Sequence, residues 1–182
     1  MIRRIGGGVC AAEGFSAGAV FCGVKKNASP DKEDLMILVS DRPCTAAGVF
    51  TLNTVKAAPV RISKERIASG RARGIVANSG NANCCATNDM KNALAMTEAA
   101  AKAAGIPESE MLVCSTGVIG EELRISNILQ GIPRAAAHLE HESAADHRIA
   151  ARSRSLETNN DASDLASFGG KHSSIEQNSI VS

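Results

Sequence analysis

Gly74-Ile75-Val76-Ala77-Asn78-Ser79-Gly80-Asn81-Ala82-Asn83 is the stretch whose reading decides the fold. Its first five residues are an apolar run that reads as a strand. The polar run from Ser79 onward reads as a turn. Beyond it lies the clearest helix in the sequence, residues 88–104. Asn88 or Asp89 can cap its start, and Gly105 followed by Pro107 stops it. Met90, Ala93, Leu94, Met96, Ala100, Ala101 and Ala104 give this helix a broad apolar face, and so much alanine lets it lie close against a sheet. Met111-Leu112-Val113-Cys114 is the next strand, and it too enters a glycine-containing turn, Ser115-Thr116-Gly117-Val118-Ile119-Gly120.

Upstream, Leu35-Met36-Ile37-Leu38-Val39-Ser40 is a continuous apolar run, expected as a buried strand. Residues 46–50 are a second strand candidate, and the alternation at Pro59-Val60-Arg61-Ile62 suggests a third. Ser63 reads as the N-cap of a short helix ending at Gly70. Downstream, one helix is expected from about Ser126 to Leu129 or beyond, ahead of Gly131-Ile132-Pro133, and another over residues 134–142. This order gives a mixed α/β fold with helix and strand layers packed together.

Residues 1–145 keep this pattern and form the expected domain. Residues 146–182 lose it: they carry eight serines in 37 residues and no sustained period, a composition that favours loop or disorder. The chain has 182 residues, of which 44% are hydrophobic but only 2% aromatic, with no Trp or Tyr. Its core must come from Ala, Val, Ile, Leu and Met, and it lacks the stacking platforms of single-stranded nucleic-acid binders. The net charge of +1 comes without a basic run, so no nucleic-acid or membrane-surface patch is indicated. No apolar stretch approaches a membrane span. No signal-peptide core follows Arg3-Arg4, and a cytoplasmic protein is expected. Six cysteines show no CxxC spacing and no nearby histidine, so no metal site is expected; Cys84-Cys85 are adjacent, a poor geometry for an ordinary disulfide.

Two segments are rich in groups that bind anions: residues 78–83 and residues 115–120. Glycine lets backbone N–H groups approach a ligand, and consecutive N–H groups make a concave site for negative charge. Acyl transfer needs such a site for its tetrahedral intermediate. Thr116 can add a hydroxyl donor beside the Gly117 N–H. Taken alone neither turn is specific, and Asn81 and Asn83 also suit Asx turns that satisfy their own backbone. Neither segment matches a nucleotide-binding motif. His138, His141, His147 and His172 lie in the later part. Glu140, Glu142, His138 and His141 read as a solvated helix face, and no nucleophile elbow supports a Ser-His-Asp triad there.

Taken together, several segments resemble the ornithine acetyltransferase family, the bifunctional glutamate N-acetyltransferases of arginine biosynthesis. They are Gly14-Phe15 with Gly23-Val24-Lys25, Ala47-Gly48-Val49-Phe50-Thr51-Leu52-Asn53, Ala57-Ala58-Pro59-Val60, and the two turns at 78–83 and 115–120. The resemblance covers about residues 1–145, the N-terminal (alpha-chain) part of the family. It implies a precursor that cleaves itself before a threonine, which becomes the nucleophile of a second, beta chain in a heterotetramer. That threonine would carry acetyl from N-acetylornithine to glutamate by a ping-pong route. No cofactor is implied for this transfer, though some members also use acetyl-CoA. Thr116 and Gly117 fall on the family's oxyanion-hole positions, while no substrate-binding residue carries over. The family's Thr-Thr-Asp and Lys-Gly-Ser-Gly segments have no match after Ala145. Divergence, a frameshift and truncation compete to explain this tail, and the abrupt loss of apolar period favours the last two. The lone chain is expected to lack the nucleophile and to be inactive. The alternatives are a non-catalytic amino-acid-binding module and an inert remnant.

Overall fold

The computed structural model describes residues 9–27 and 29–141. Four strands, β1 (Phe15–Val20), β2 (Leu35–Thr45), β3 (Arg71–Asn81) and β4 (Met111–Val118), form one sheet in that spatial order. β1 with β2 and β2 with β3 are antiparallel, while β3 and β4 are parallel. Parallel neighbours need a crossover, and α2 (Asp89–Ala104) supplies it. α1 (Ala58–Ile67) joins β2 to β3, and α3 (Ile125–Ala137) follows β4.

All three helices pack on one face of the sheet. Leu35, Ile37, Val39, Val76, Met111 and Val113 meet Ile62 of α1, Ala93, Met96 and Ala100 of α2, and Ile128 and Ile132 of α3 in one core. Each fully buried isoleucine contributes about 2 kcal/mol by area removed from water. The opposite face is thinly covered. The Val9–Ala11 turn packs by β1, residues 48–50 lie beside Leu112 and Cys114, and Met36 and Leu38 stay half-buried. Met36 and Leu38 on that face pack partly against Cys10 and Ala17, so apolar residues occupy both sides of β2 and residues 35–39 read as continuous.

Several expectations change. β1 was not foreseen, because its Ser16, Ala17, Gly18 and Ala19 have weak strand propensity. Its placement comes from α3, which approaches so closely that a Cβ on Gly18 would lie 2.0 Å from the Ala135 carbonyl oxygen. Residues 46–50 are not a strand: β2 runs on to Thr45 through a register shift, and the chain then leaves the sheet with Val49, Leu52 and Val55 exposed. Residues 59–62 are the first turn of α1, where Pro59 sits at the position that needs no N–H donor. Ser63 is no N-cap. It lies inside α1 and bridges to β4, donating to the Val113 carbonyl at 2.8 Å and accepting its N–H at 3.1 Å. This contact occupies the outer edge of β4, where a further strand would otherwise pair.

α3 is one helix through Gly131 and Pro133 rather than two. Gly131 is there for packing, since a Cβ would lie 2.7 Å from Leu35 Cδ2 and 2.9 Å from Cys22 Cβ. Helix ends at Ala137, so Glu140 and His141 are not on a helix face. Glu140 pairs its backbone with Ala17, and His141 Nδ1 lies 3.2 Å from the Phe15 carbonyl. In α2, Leu94 is 43% exposed while Asn92 and Thr97 are buried. The boundary at 145, the tail, Glu142, His147 and His172 lie outside the described residues.

The Gly18 contact makes a test. Gly18→Val forces α3 off β1 and is expected to lower unfolding free energy by roughly 3 kcal/mol, read from the urea midpoint.

Candidate functional site

Because β3 and β4 are parallel, the two segments singled out in the sequence emerge side by side. Asn78 pairs with Ser115, Ser79 with Thr116, Gly80 with Gly117, and Asn81 with Val118. Both segments begin as strand, not turn, and the strands persist to Asn81 and Val118. Gly117 has φ +135°, and a Cβ there would lie 2.3 Å from the Gly80 carbonyl carbon and 2.5 Å from the Asn81 nitrogen. Only glycine permits this backbone and this approach.

Strand alternation gives the site two sides. Ser115 faces the helices with Met111 and Val113, and its Oγ donates to Asn78 Oδ1 at 2.6 Å. Asn78 Nδ2 in turn donates to the Asn81 carbonyl at 2.9 Å. Thr116 falls on the thinly covered face with Leu112 and Cys114. It is exposed, and among the described residues its hydroxyl has no hydrogen-bond partner. A free hydroxyl beside a glycine backbone is a donor set able to receive a developing negative charge.

The segments beyond the strands are stitched together. Ala82 N–H donates to the Val118 carbonyl and Gly120 N–H to the Cys84 carbonyl, each at 2.9 Å. Asn81 Nδ2 donates to the Glu121 carbonyl at 3.0 Å. Asn81 Oδ1 accepts the Asn83 N–H at 2.7 Å, the Asx turn expected from sequence. Asn88 stands at the N-cap of α2 but makes no side-chain cap bond. Instead Glu122 Oε1 accepts from the N–H groups of Thr87 and Asn88, placing a carboxylate at the helix start.

Asp34 was missed in the sequence and organises the flank. Its buried carboxylate accepts the N–H groups of Cys22 and Val24, each at 2.7 Å, and its carbonyl accepts the Ser79 N–H at 2.9 Å. This holds Lys25 over Gly80, with a Cβ on Gly80 falling 3.0 Å from Lys25 Cβ. Lys25, Lys26 and Arg124, with Glu121 and Glu122, line a cleft of about 440 Å³ walled by Gly80 and Val118. It combines cations suited to a carboxylate with acceptors suited to an amine.

Burial pushes the Cys114 thiol up to about 11, so at neutral pH it is a protonated thiol. His141 is at the β1 edge of the sheet, remote from β4, and faces Asp41 at 3.9 Å. It takes no part in the site. Among the described residues no group of three or more His, Cys, Asp or Glu side chains is placed to hold a metal ion, and no helix is long and apolar enough to cross a membrane.

The ArgJ family model matches residues 16–163. This chain belongs to the ArgJ family. It is 45% identical over 143 residues to the arginine biosynthesis bifunctional protein ArgJ of Symbiobacterium thermophilum, covering 78% of this chain and 35% of that relative. With the ArgJ of Geobacter sulfurreducens it shares 46% identity over 129 residues, 70% of this chain and 32% of the relative. The chain thus spans about a third of the length of these curated relatives. Its fold is also that of solved ArgJ structures. The Bacillus halodurans ArgJ superposes with a TM-score of 0.73 at 36% identity, over 80% of this chain and 74% of that one. The ornithine acetyltransferase of Mycobacterium tuberculosis, solved with ornithine, gives 0.74 at 33% identity, over 80% and 78%.

Two outcomes check the site. Gly117→Ala is expected to break the β3–β4 approach and to speed amide exchange at Ala82 and Gly120 while the core of α2 keeps its protection. Stability is expected to fall as pH rises through about 9 to 11. There the unfolded chain releases the Cys114 proton near 9.0 while the folded chain holds it to about 11. Denaturation midpoints across this window should fall less steeply for Cys114→Ala.

Proposed function

We propose that this chain supplies the oxyanion-stabilising half of an ArgJ acetyltransferase that moves acetyl from N2-acetylornithine to glutamate. The observation that carries the reading is the exposed Thr116 hydroxyl beside Gly117, without a hydrogen-bond partner among the described residues, on the sheet face away from the helices. A threonine nucleophile from a second chain would lie over that face. Its oxygen attacks the acetyl carbonyl, and the carbonyl oxygen takes the negative charge between Thr116 and Gly117. Collapse expels the ornithine amine and leaves an acetyl ester. The glutamate amine then attacks that ester through a second tetrahedral intermediate in the same hole, and the threonine is regenerated.

A two-chain arrangement is supported by coverage. The region matched is about a third of the curated relatives but about three quarters of the crystallised chains. A precursor that cleaves itself into two chains would give that difference. The half-buried Met36 and Leu38 and the exposed Val49, Leu52 and Val55 are surface that the remainder of an ArgJ polypeptide would cover. Acetyl-CoA as an alternative donor, a heterotetrameric assembly and a cytoplasmic location belong to the same reading.

The test mixes this chain with the separately produced remainder of an ArgJ polypeptide and measures transfer from N-acetylornithine to glutamate. The chain alone is expected to be inactive and the mixture active. In the mixture, Thr116→Ala should lower kcat by about 10²-fold with little change in KM. Full activity from the chain alone, or an unchanged kcat in Thr116→Ala, contradicts the proposal.

A further inference from the structure

Cys84 and Cys85 have no part in the oxyanion chemistry, yet the fold holds their Sγ atoms 3.6 Å apart. In an extended strand adjacent side chains point to opposite faces. Here Cys85 adopts φ +59°, a left-handed conformation that costs a non-glycine residue free energy, and the two thiols face each other. Cys85 is exposed and Cys84 is half-buried beside it. One thiol is therefore presented to solvent and the other is in position to attack it.

We propose that Cys84 and Cys85 are a redox modification site, at which a peroxide-class oxidant closes a vicinal disulfide that displaces the Gly120 end of the oxyanion segment. The Cys85 sulfur attacks the peroxide O–O bond, giving a sulfenic acid and water. The Cys84 sulfur then attacks the Cys85 sulfur, an S–S bond forms, and the sulfenic oxygen leaves with the Cys84 proton as a second water. Hydrogen peroxide takes two electrons from the two thiols and is reduced to water. Burial, and then the Cys85 thiol beside it, raise the Cys84 pKa to about 11, which leaves the exposed Cys85 as the first to react.

The backbone makes the reaction consequential. Adjacent Cα atoms are about 3.8 Å apart across a trans peptide, short of the roughly 4.4 Å lower limit of ordinary disulfides. Closing the ring therefore moves the peptide between the two residues. That peptide carries the Cys84 carbonyl, which accepts the Gly120 N–H at 2.9 Å. Gly120 ends the run that begins at Ser115, so the displacement reaches the segment holding Thr116. A bond under such strain is also easily reduced again, as reversible control requires. The sulfur chemistry does not depend on the acetyl-transfer reading, and its test needs no enzyme assay.

The test treats the folded chain with one equivalent of hydrogen peroxide, alkylates it and maps its peptides by mass. The peptide spanning both cysteines is expected to lack two hydrogens and resist alkylation, then to take two alkyl groups after dithiothreitol. Cys84→Ser and Cys85→Ser should each abolish that loss. Amide exchange at Gly120 should quicken several-fold, by roughly 3- to 10-fold as a local opening, in the oxidised wild type but not in oxidised Cys84→Ser. Two alkylatable thiols after peroxide, or disulfides joining these cysteines to another cysteine or another chain, would overturn the modification site. Unchanged Gly120 exchange in the oxidised wild type would overturn its link to the turn.

Discussion

The close parallel approach of β3 and β4 at Gly80 and Gly117 is the constraint on which the rest of the structure depends. With the Gly117 Cβ position 2.3 Å from the Gly80 backbone, no other residue fits at either the φ or the spacing observed. The register that follows sets Thr116 beside Ser79 and Ser115 beside Asn78. It also brings residues 82–88 and 118–122 into bonding range, so that Glu122 reaches the start of α2 and Cys84 reaches Gly120. The crossover helix, the site and the cysteine pair are thus held by one pairing of strand ends.

The sheet separates support from chemistry. On the helix side, Ser115 and Asn78 satisfy one another and the aliphatic core excludes water. On the other side, Thr116 keeps a hydroxyl with no partner among the described residues. A buried donor without an acceptor would be costly; an exposed one facing a developing anion is useful only when something covers it. In the function proposed above, the remainder of an ArgJ polypeptide supplies that cover.

Much of the central unit was legible. β3, α2 and β4 announce themselves through long apolar runs, an alanine-rich face and a Gly-Pro stop, and the family was legible from the paired segments at 78–83 and 115–120. What failed was local propensity overridden by packing. β1 is strand because α3 presses on Gly18, not because its small residues prefer strand. Residues 59–62 alternate like a strand but open α1, and α3 runs through Gly131 and Pro133 because Ile128, Ile132 and Ala135 are buried along its core side. Within the candidate site, the segment carrying Thr116 and Gly117 was legible, and the structure sets it beside Ser79 and Gly80, while the role of those two residues stands as a proposal. The Ser63 bridge, the Asp34 clamp and the face on which Thr116 lies were not legible, because each depends on pairings between distant residues.

The most direct measurement is a rapid-mixing analysis of the proposed two-chain protein, assembled from this chain carrying Thr116→Ala and the separately produced remainder of an ArgJ polypeptide. It would follow formation of the acetyl ester from N-acetylornithine and, separately, its discharge to glutamate. One oxyanion hole serving both tetrahedral intermediates predicts that both half-reactions slow by a similar factor. A variant that slows only one of them, or neither, would contradict the role proposed for Thr116.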